Sequence, residues 1–260
     1  MTAAPLLGPD DPPPFELHNE GGGGSCLLIC DHASAAIPKI LGDLGLDAGQ
    51  RRRHIAWDIG IAEVTRRLAI LLRAPAVLSG YSRLVIDCNR DPKVASSIPL
   101  VSESSEIPGN RNLSAAEVLA RRVAIFDPYH EHIRKLLDAR AAAGRRTILV
   151  AQHSMTNIYK GVRREMHAAV LYNRDRRFAG LVLEALRREP DVIVGDNEPY
   201  FVSDETDFSI PRHGEARGLP HVEIEIRQDL VSDAAGQKQW AARITKALQE
   251  AERALLGTTP

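Results

Sequence analysis

The sequence predicts one α/β domain: a mixed, largely parallel sheet with helices on both faces. Two observations lead there. Four short apolar runs each end in His, acid, amide or Arg: Cys26-Leu-Leu-Ile-Cys30 into Asp31-His32, Leu84-Val-Ile86 into Asp87-Cys88-Asn89-Arg90, Ile148-Leu-Val-Ala151 into Gln152-His153-Ser154, and His221-Val-Glu-Ile-Glu-Ile226 into Arg227. Runs of that length suit strands buried on both faces, and helical periodicity between them alternates strand with helix. The length of 260 residues suits one large domain and demands no second.

Taken in order, residues 1–24 carry Pro-rich and Gly-rich tracts, Asp10-Asp-Pro-Pro-Pro14 and Gly21 to Gly24. They read as a flexible arm with a short extended segment at Phe15-Glu-Leu17, ahead of a domain over 25–260. After the first strand, a helix over 58–72 puts Ile61, Val64, Leu68 and Leu72 on one face. Pro75 ends it, and strands follow at Ala76-Val-Leu78 and Leu84-Val-Ile86. Residues 91–112 are rich in Pro, Ser and Gly and read as a site-covering loop. Ser114-Ala-Ala-Glu117 is a capping box opening a helix to Ala143, which Pro128 should kink or split. Then come the strand over 147–152, a strand over 168–172, a helix over 176–188, a strand over 192–194 and a second irregular stretch over 195–220. The last strand precedes a terminal helix over 233–256 with Trp240, Ile244, Leu248 and Leu255 as its apolar face. Internal repeats and a glycine-rich phosphate loop are both lacking.

Composition narrows the function. A formal net charge of −1 gives no support for a nucleic-acid partner or an anionic membrane surface. No apolar run approaches the roughly 18 residues of a membrane helix, and the N-terminus lacks a signal-peptide pattern, so the expected address is the cytoplasm. Cys26, Cys30 and Cys88 match no zinc spacing and read as small reduced core residues.

The strand ends carry the candidate chemistry. Ligands in open α/β sheets gather outside the carboxyl ends of the strands. His32 and His153 are candidate zinc ligands there, and a catalytic zinc needs three protein ligands and one open position. Asp31, Asp58 and Asp87 are candidates for ligand or supporting acid. Asp58 has a second reading as the N-cap of its helix, and His54, in a run of arginines, reads as solvent-exposed. Glu223 and Glu225 alternate with Val222, Ile224 and Ile226, so both acids face one side of the sheet. Burying two acids there requires partners or a task, and Glu225, nearer the strand's end, is the better general base. Arg83, Arg90, Arg212 and Arg227 lie in or beside the same strand ends, and together imply a small anionic substrate.

Three of these pieces, Asp87-Cys-Asn89-Arg90, Gln152-His153-Ser154 and Glu225-Ile-Arg227, resemble the zinc carboxypeptidase architecture. The finer resemblance is to the N-formylglutamate amidohydrolase family. It covers roughly residues 26–232 through the His32 turn, Trp57-Asp58, Ser82-Arg83, Asp87-x-Asn89-Arg90-Asp91-Pro92, His153-Ser154-Met155 and Glu225-Ile-Arg227-Gln-Asp-Leu230. The resemblance implies zinc-dependent hydrolysis of an N-acyl amino acid, N-formyl-L-glutamate above all, to formate and glutamate. Glu225 is then the base, and Asn89, Arg90, Arg83, Arg227, Arg212, Ser154 and His213 hold the substrate. His32 and His153 ligate zinc. Carboxypeptidases take two ligands from His-x-x-Glu, whereas here Ala33-Ser34-Ala35 follows His32; the third ligand therefore comes from elsewhere, and Asp58 is the choice. Alternatives are another N-acyl amino acid or small peptide, or a non-catalytic binder of acidic amino acids.

Overall fold

The computed structural model describes residues 5–257. The chain forms β1 (Phe15–His18), β2 (Cys26–Cys30), α1 (Ile61–Leu71), β3 (Ala76–Ser79), the hairpin β4 (Val101–Ser102) and β5 (Ser105–Glu106), α2 (Ala115–Arg121) and α3 (Asp127–Ala142). It continues with β6 (Ile148–Met155), the hairpin β7 (Ile158–Tyr159) and β8 (Val162–Arg163), β9 (Ala168–Leu171), α4 (Arg177–Arg187), β10 (Val194–Asp196), β11 (His221–Arg227) and α5 (Ala234–Leu255). The seven-stranded sheet has the order β1-β3-β2-β6-β11-β9-β10. Its four central strands, β3, β2, β6 and β11, run parallel. The edge strand β1 is antiparallel to β3, and β9 is antiparallel to β11. The sheet is thus mixed and largely parallel.

The two faces of the sheet differ in composition, as alternation along each strand requires. One carries Leu28, Cys30, Val150, Val222, Ile224 and Ile226, and packs on α1, α4 and α5 through residues such as Leu68, Phe178 and Trp240. The other carries Leu27, Ile29, Leu149 and Ala151 and packs on α3 through Tyr129, Ile133 and Leu137. Helices therefore cover both faces. Each large aliphatic side chain buried this way contributes about 2 kcal/mol. On the second face the apolar set ends abruptly: His153 succeeds Ala151 on β6, and Glu223 and Glu225 lie beside it on β11.

Several expected elements are redrawn. Leu84, Val85 and Ile86 are fully buried but form no strand. Val85 N–H donates to Ser82 O at 2.9 Å. The Leu84 and Val85 carbonyls accept from Asn110 Nδ2 at 2.9 Å and Arg121 Nη1 at 3.0 Å. Side chains thus take the place of a neighbouring strand, which an apolar run by itself does not reveal. β6 continues to Met155 because β11 pairs with it as far as Arg227, so His153 sits inside the strand rather than past it. The capping box at Ser114 forms, and a π-helical turn over 122–126 joins α2 to α3, with Pro128 in the first turn of α3. The extended segment expected at 15–17 is β1 itself. The terminal helix starts beyond its Asp233 cap, whose carboxylate accepts from Gly236 N–H at 2.8 Å.

One glycine couples the start of α1 to the chain leaving β11. Gly60 precedes α1 at φ +80, and a Cβ there would meet Val231 O at 2.0 Å. Gly144 has φ +64 but open space around it. Gly144→Ala is therefore expected to cost about 1 kcal/mol, from backbone strain alone. Gly60→Ala should cost clearly more, about 3 kcal/mol or above, because a backbone carbonyl must move. Equal costs in denaturant unfolding would show that the close approach contributes nothing.

Candidate active site

The parallel register of β2, β6 and β11 brings three polar strand ends side by side. His153 pairs in register with Glu225, and His32 lies two residues past β2. Asp58 reaches them through a turn in which its N–H donates to His32 O at 2.9 Å. Its Oδ2 accepts from Ser154 N–H at 3.2 Å and lies 2.9 Å from His153 Nδ1. The N-cap of α1 is Gly60, with no side-chain cap. Asp58 is thus aimed into the site, and its capping alternative is set aside. Ser154 Oγ donates to Ile59 O at 2.9 Å and pins the same turn.

His32, Asp58 and His153 are all buried, and each offers a ligand atom within 4.8 Å of the others. Both histidines turn Nδ1 towards Asp58. His32 Nε2 is engaged by Asp87 Oδ1 at 2.7 Å, while its Nδ1, 3.5 Å from Asp58 Oδ2, has no hydrogen-bond partner. His153 turns Nδ1 to Asp58 and Nε2 towards Asp31 Oδ2 at 3.4 Å. Asp31 is itself held by Tyr129 Oη at 2.9 Å and Ser209 Oγ at 2.7 Å, both donating to Oδ1. Each imidazole therefore has a carboxylate behind it and Nδ1 facing Asp58, an arrangement that orients metal-binding histidines. Two imidazoles and a carboxylate form a catalytic zinc donor set, and an unpartnered buried ring nitrogen fits a bound cation.

Electrostatics point the same way. Burial works against the charged forms of Asp31, Asp58 and Asp87, yet the histidines, with Arg83 at Asp87, outweigh it and hold all three below the carboxylate range. Burial likewise opposes protonation of His153, but Glu223, Asp31 and Asp58 outweigh it and hold the imidazole well above its ordinary value. Three buried carboxylates around two imidazoles demand positive charge, supplied by protons or by a metal ion.

A cavity of about 430 Å³ opens over this group. Glu223 and Glu225 line it, each with an unpartnered buried Oε2, and burial pushes both carboxyls above the ordinary range. Arg83 lines it too, donating to Asp87 Oδ2 at 2.8 Å, as does Arg90, whose Nη1 has no hydrogen-bond partner. Asn89 serves mainly as a brace: its Nδ2 donates to Asp207 Oδ1 at 3.1 Å, and its Oδ1 accepts from the N–H groups of Phe208 and Ser209.

Three residues expected at the site do not line this cavity. Arg227 Nη1 donates to the Arg164 and Glu165 carbonyls and its Nε to Asp229, so its guanidinium is consumed in holding a loop. Arg212 and His213 lie on a π-helical turn that lines a different cleft, where His213 Nε2 meets His130 Nδ1 at 2.9 Å. Nearness in sequence to polar strand ends could not show that these side chains turn elsewhere. Conversely, His54, expected in solvent, lines the cavity, as do Glu103, Tyr159, Tyr200, Phe201 and Asp207. His54 comes from the stretch before α1, and the others arrive on the β4–β5 and β7–β8 hairpins and the loop after Pro199, segments without periodicity to read. Of residues 91–112, expected to cover the site, Ser102 and Glu103 line the cavity.

The family model of N-formylglutamate amidohydrolase matches residues 24–232. The chain belongs to the N-formylglutamate amidohydrolase family. It is accordingly a hydrolase. It is similar to the crystal structure of gene product Atu2144 from Agrobacterium tumefaciens, with 35% identity and a TM-score of 0.94, over 96% of this chain and 99% of that one. It shares the fold of N-formylglutamate amidohydrolase from Ralstonia eutropha JMP134, at 21% identity and a TM-score of 0.68, over 94% of this chain and 99% of that one. The comparison with curated proteins finds no match. Among the described residues, no helix is long and apolar enough to cross a membrane.

The depressed carboxyl of Asp87 gives a signed expectation for the metal-free protein. Its folded-state pKa lies below the unfolded value of about 3.9, so its stabilisation is complete above that value. It is lost as pH falls through the folded-state pKa. The melting temperature should fall on acidification below about pH 4, and Asp87→Asn should start lower at pH 7 and fall less steeply. Parallel acid limbs for the two proteins would remove Asp87 from this role.

Proposed function

We propose that the chain is a zinc-dependent amidohydrolase acting on an N-acyl amino acid. N-formyl-L-glutamate, the substrate that names the family, is the first compound to assay. The observation that carries the reading is the buried His32, Asp58 and His153 group, with ligand atoms within 4.8 Å of one another, beside Glu225 in register with His153. Family membership favours this over a non-catalytic binder of acidic amino acids.

In this proposal His32 and His153 bind through Nδ1 and Asp58 through a carboxylate oxygen. Zinc held there would supply Lewis acidity towards the amide carbonyl and water. Glu225 takes the proton of the water that attacks the carbonyl carbon, then delivers it to the nitrogen as the C–N bond breaks. Formate and the free amino acid leave. Arg90 holds the α-carboxylate with its unpartnered Nη1, and Asn89 fixes the 207–209 backbone beside it. Ser154 holds the Asp58 turn, and Arg83, tied to Asp87, fixes the acid behind His32. Orienting the substrate against a prepared base supplies much of the rate.

Glu225→Gln keeps the shape but cannot accept a proton. Metal content should stay near normal while kcat falls by about 10²-fold or more. Asp58→Ala should remain folded and lose metal; full zinc stoichiometry in that protein would leave the third ligand unassigned, with Asp31 the next to test. Arg90→Lys should raise KM for every N-acyl amino acid hydrolysed, because an ammonium cannot reproduce the guanidinium fork. An unchanged KM would move the carboxylate anchor elsewhere.

A further inference from the structure

The charge and shape of the cavity beyond the metal group select among N-acyl amino acids. A dicarboxylate such as N-formyl-L-glutamate calls for two cationic anchors. Arg83 and Arg90 are the cationic Lys or Arg side chains that line the cavity among the described residues. Arg83 is already committed: its Nη2 lies 2.8 Å from Asp87 Oδ2 and its Nη1 3.7 Å from Asp58 Oδ1. That leaves Arg90, with Nη1 unpartnered and its nearest acids, Asp87 and Asp207, each 3.9 Å away. One free guanidinium serves one carboxylate.

The remaining charged groups at the rim are acidic. Asp207 accepts from Ser203 N–H at 3.0 Å and from Thr206 Oγ1 at 2.7 Å, which fixes its carboxylate beside Arg90. Glu103 pairs with Arg53 and lies 3.6 Å from His54 Nε2. A second substrate carboxylate placed among these would meet like charge and no uncommitted cation.

The remaining lining mixes small polar side chains, Ser102, Thr156 and Thr206 among them, with aromatic rings. Tyr159, Tyr200 and Phe201 line the cavity, yet they are 37%, 38% and 65% exposed. The two tyrosines are held in place. The Arg164 guanidinium lies 5.1 Å from the Tyr159 ring centre and 4.6 Å from that of Tyr200. It also donates to the Tyr200 hydroxyl and, at 3.2 Å, to Thr156 O. Arg164 is itself buried, so its charge is spent on the rings, the hydroxyl and a carbonyl. It ties the β7–β8 hairpin to the loop after Pro199 and makes the aromatic pair a prepared surface.

We infer that the preferred substrate carries a single carboxylate and an apolar or aromatic amino-acid side chain, which packs on Tyr159, Tyr200 and Phe201. This rests on the amidohydrolase reading for the location of the scissile amide. With zinc-loaded enzyme, kcat/KM for N-formyl-L-phenylalanine should exceed that for N-formyl-L-glutamate by at least about tenfold, the scale on which apolar pockets discriminate. Phe201→Ala and Tyr159→Ala should each narrow that ratio, mainly through KM. A ratio favouring the glutamate compound, or one that both substitutions leave unchanged, overturns the inference. Calorimetric titration of both compounds into zinc-loaded Glu225→Gln enzyme ranks them without turnover. If neither compound is hydrolysed by the unsubstituted enzyme but the phenylalanine compound binds more tightly, the hydrolytic reading fails and the side-chain inference stands. Tighter binding of the glutamate compound overturns the inference whether or not hydrolysis occurs.

Discussion

The interaction on which the site depends is the carboxylate of Asp58 set against two buried imidazoles. Charged groups are costly to bury singly and tolerable only when each has a partner. Here the partners form a continuous chain. Tyr129 and Ser209 hold Asp31, Asp31 faces His153, His153 meets Asp58, and Asp58 faces His32. Asp87 then bonds His32, and Arg83 bonds Asp87. The members come from the turn after β2, the turn before α1, the 82–90 segment, α3, β6 and the turn at Ser209. Removing one therefore exposes a buried charge on the next, and the surrounding backbone is constrained to match.

That constraint accounts for features that would otherwise look unrelated. The close approach of Gly60 to the Val231 carbonyl lets the turn carrying Asp58 lie against the end of β11. The Ser154 hydroxyl bonded to Ile59 O locks the same turn to β6. Tyr129, in the core between α3 and the sheet, spends its hydroxyl on Asp31. The sheet divides the work: its aliphatic face rests on α1, α4 and α5, and the opposite face turns from aliphatic to ionisable within one strand, from Ala151 to His153. A rigid parallel ladder under the ionisable groups keeps Glu225 in register with His153, which a loop could not do with the same precision.

Chemistry and selectivity are carried by different structural classes. Metal-ligand candidates and the candidate base come from strand ends and the turn locked to them. The side chains that would meet a substrate's variable part come from short hairpins and a loop, which vary more easily without disturbing the sheet. The cavity gathers Arg90, with its unpartnered Nη1, together with Asp207, Glu103 and three aromatic rings.

The sequence by itself determined the alternation of apolar runs and helices, hence the sheet, the buried strands and the segregation of Glu223 and Glu225 from Val222, Ile224 and Ile226. These arise from local periodicity, which the chain carries residue by residue. It also pointed to His32, His153, Arg83, Arg90 and Glu225, because polar residues beside apolar runs are conspicuous, and to Asp58 through the family resemblance. Only the tertiary structure decided which of the polar residues converge. Arg227 lies two residues from Glu225, yet carbonyls and an acid claim it, and Arg212 and His213 line a different cleft, where His213 meets another histidine. Leu84-Val-Ile86 has the composition of a strand, yet Asn110 and Arg121, distant in sequence, supply its hydrogen bonds. Tyr159 and Tyr200 lie on segments about 40 residues apart, and Arg164 packs on both rings. Side-chain direction in irregular segments is set by long-range partners, and no local pattern encodes it.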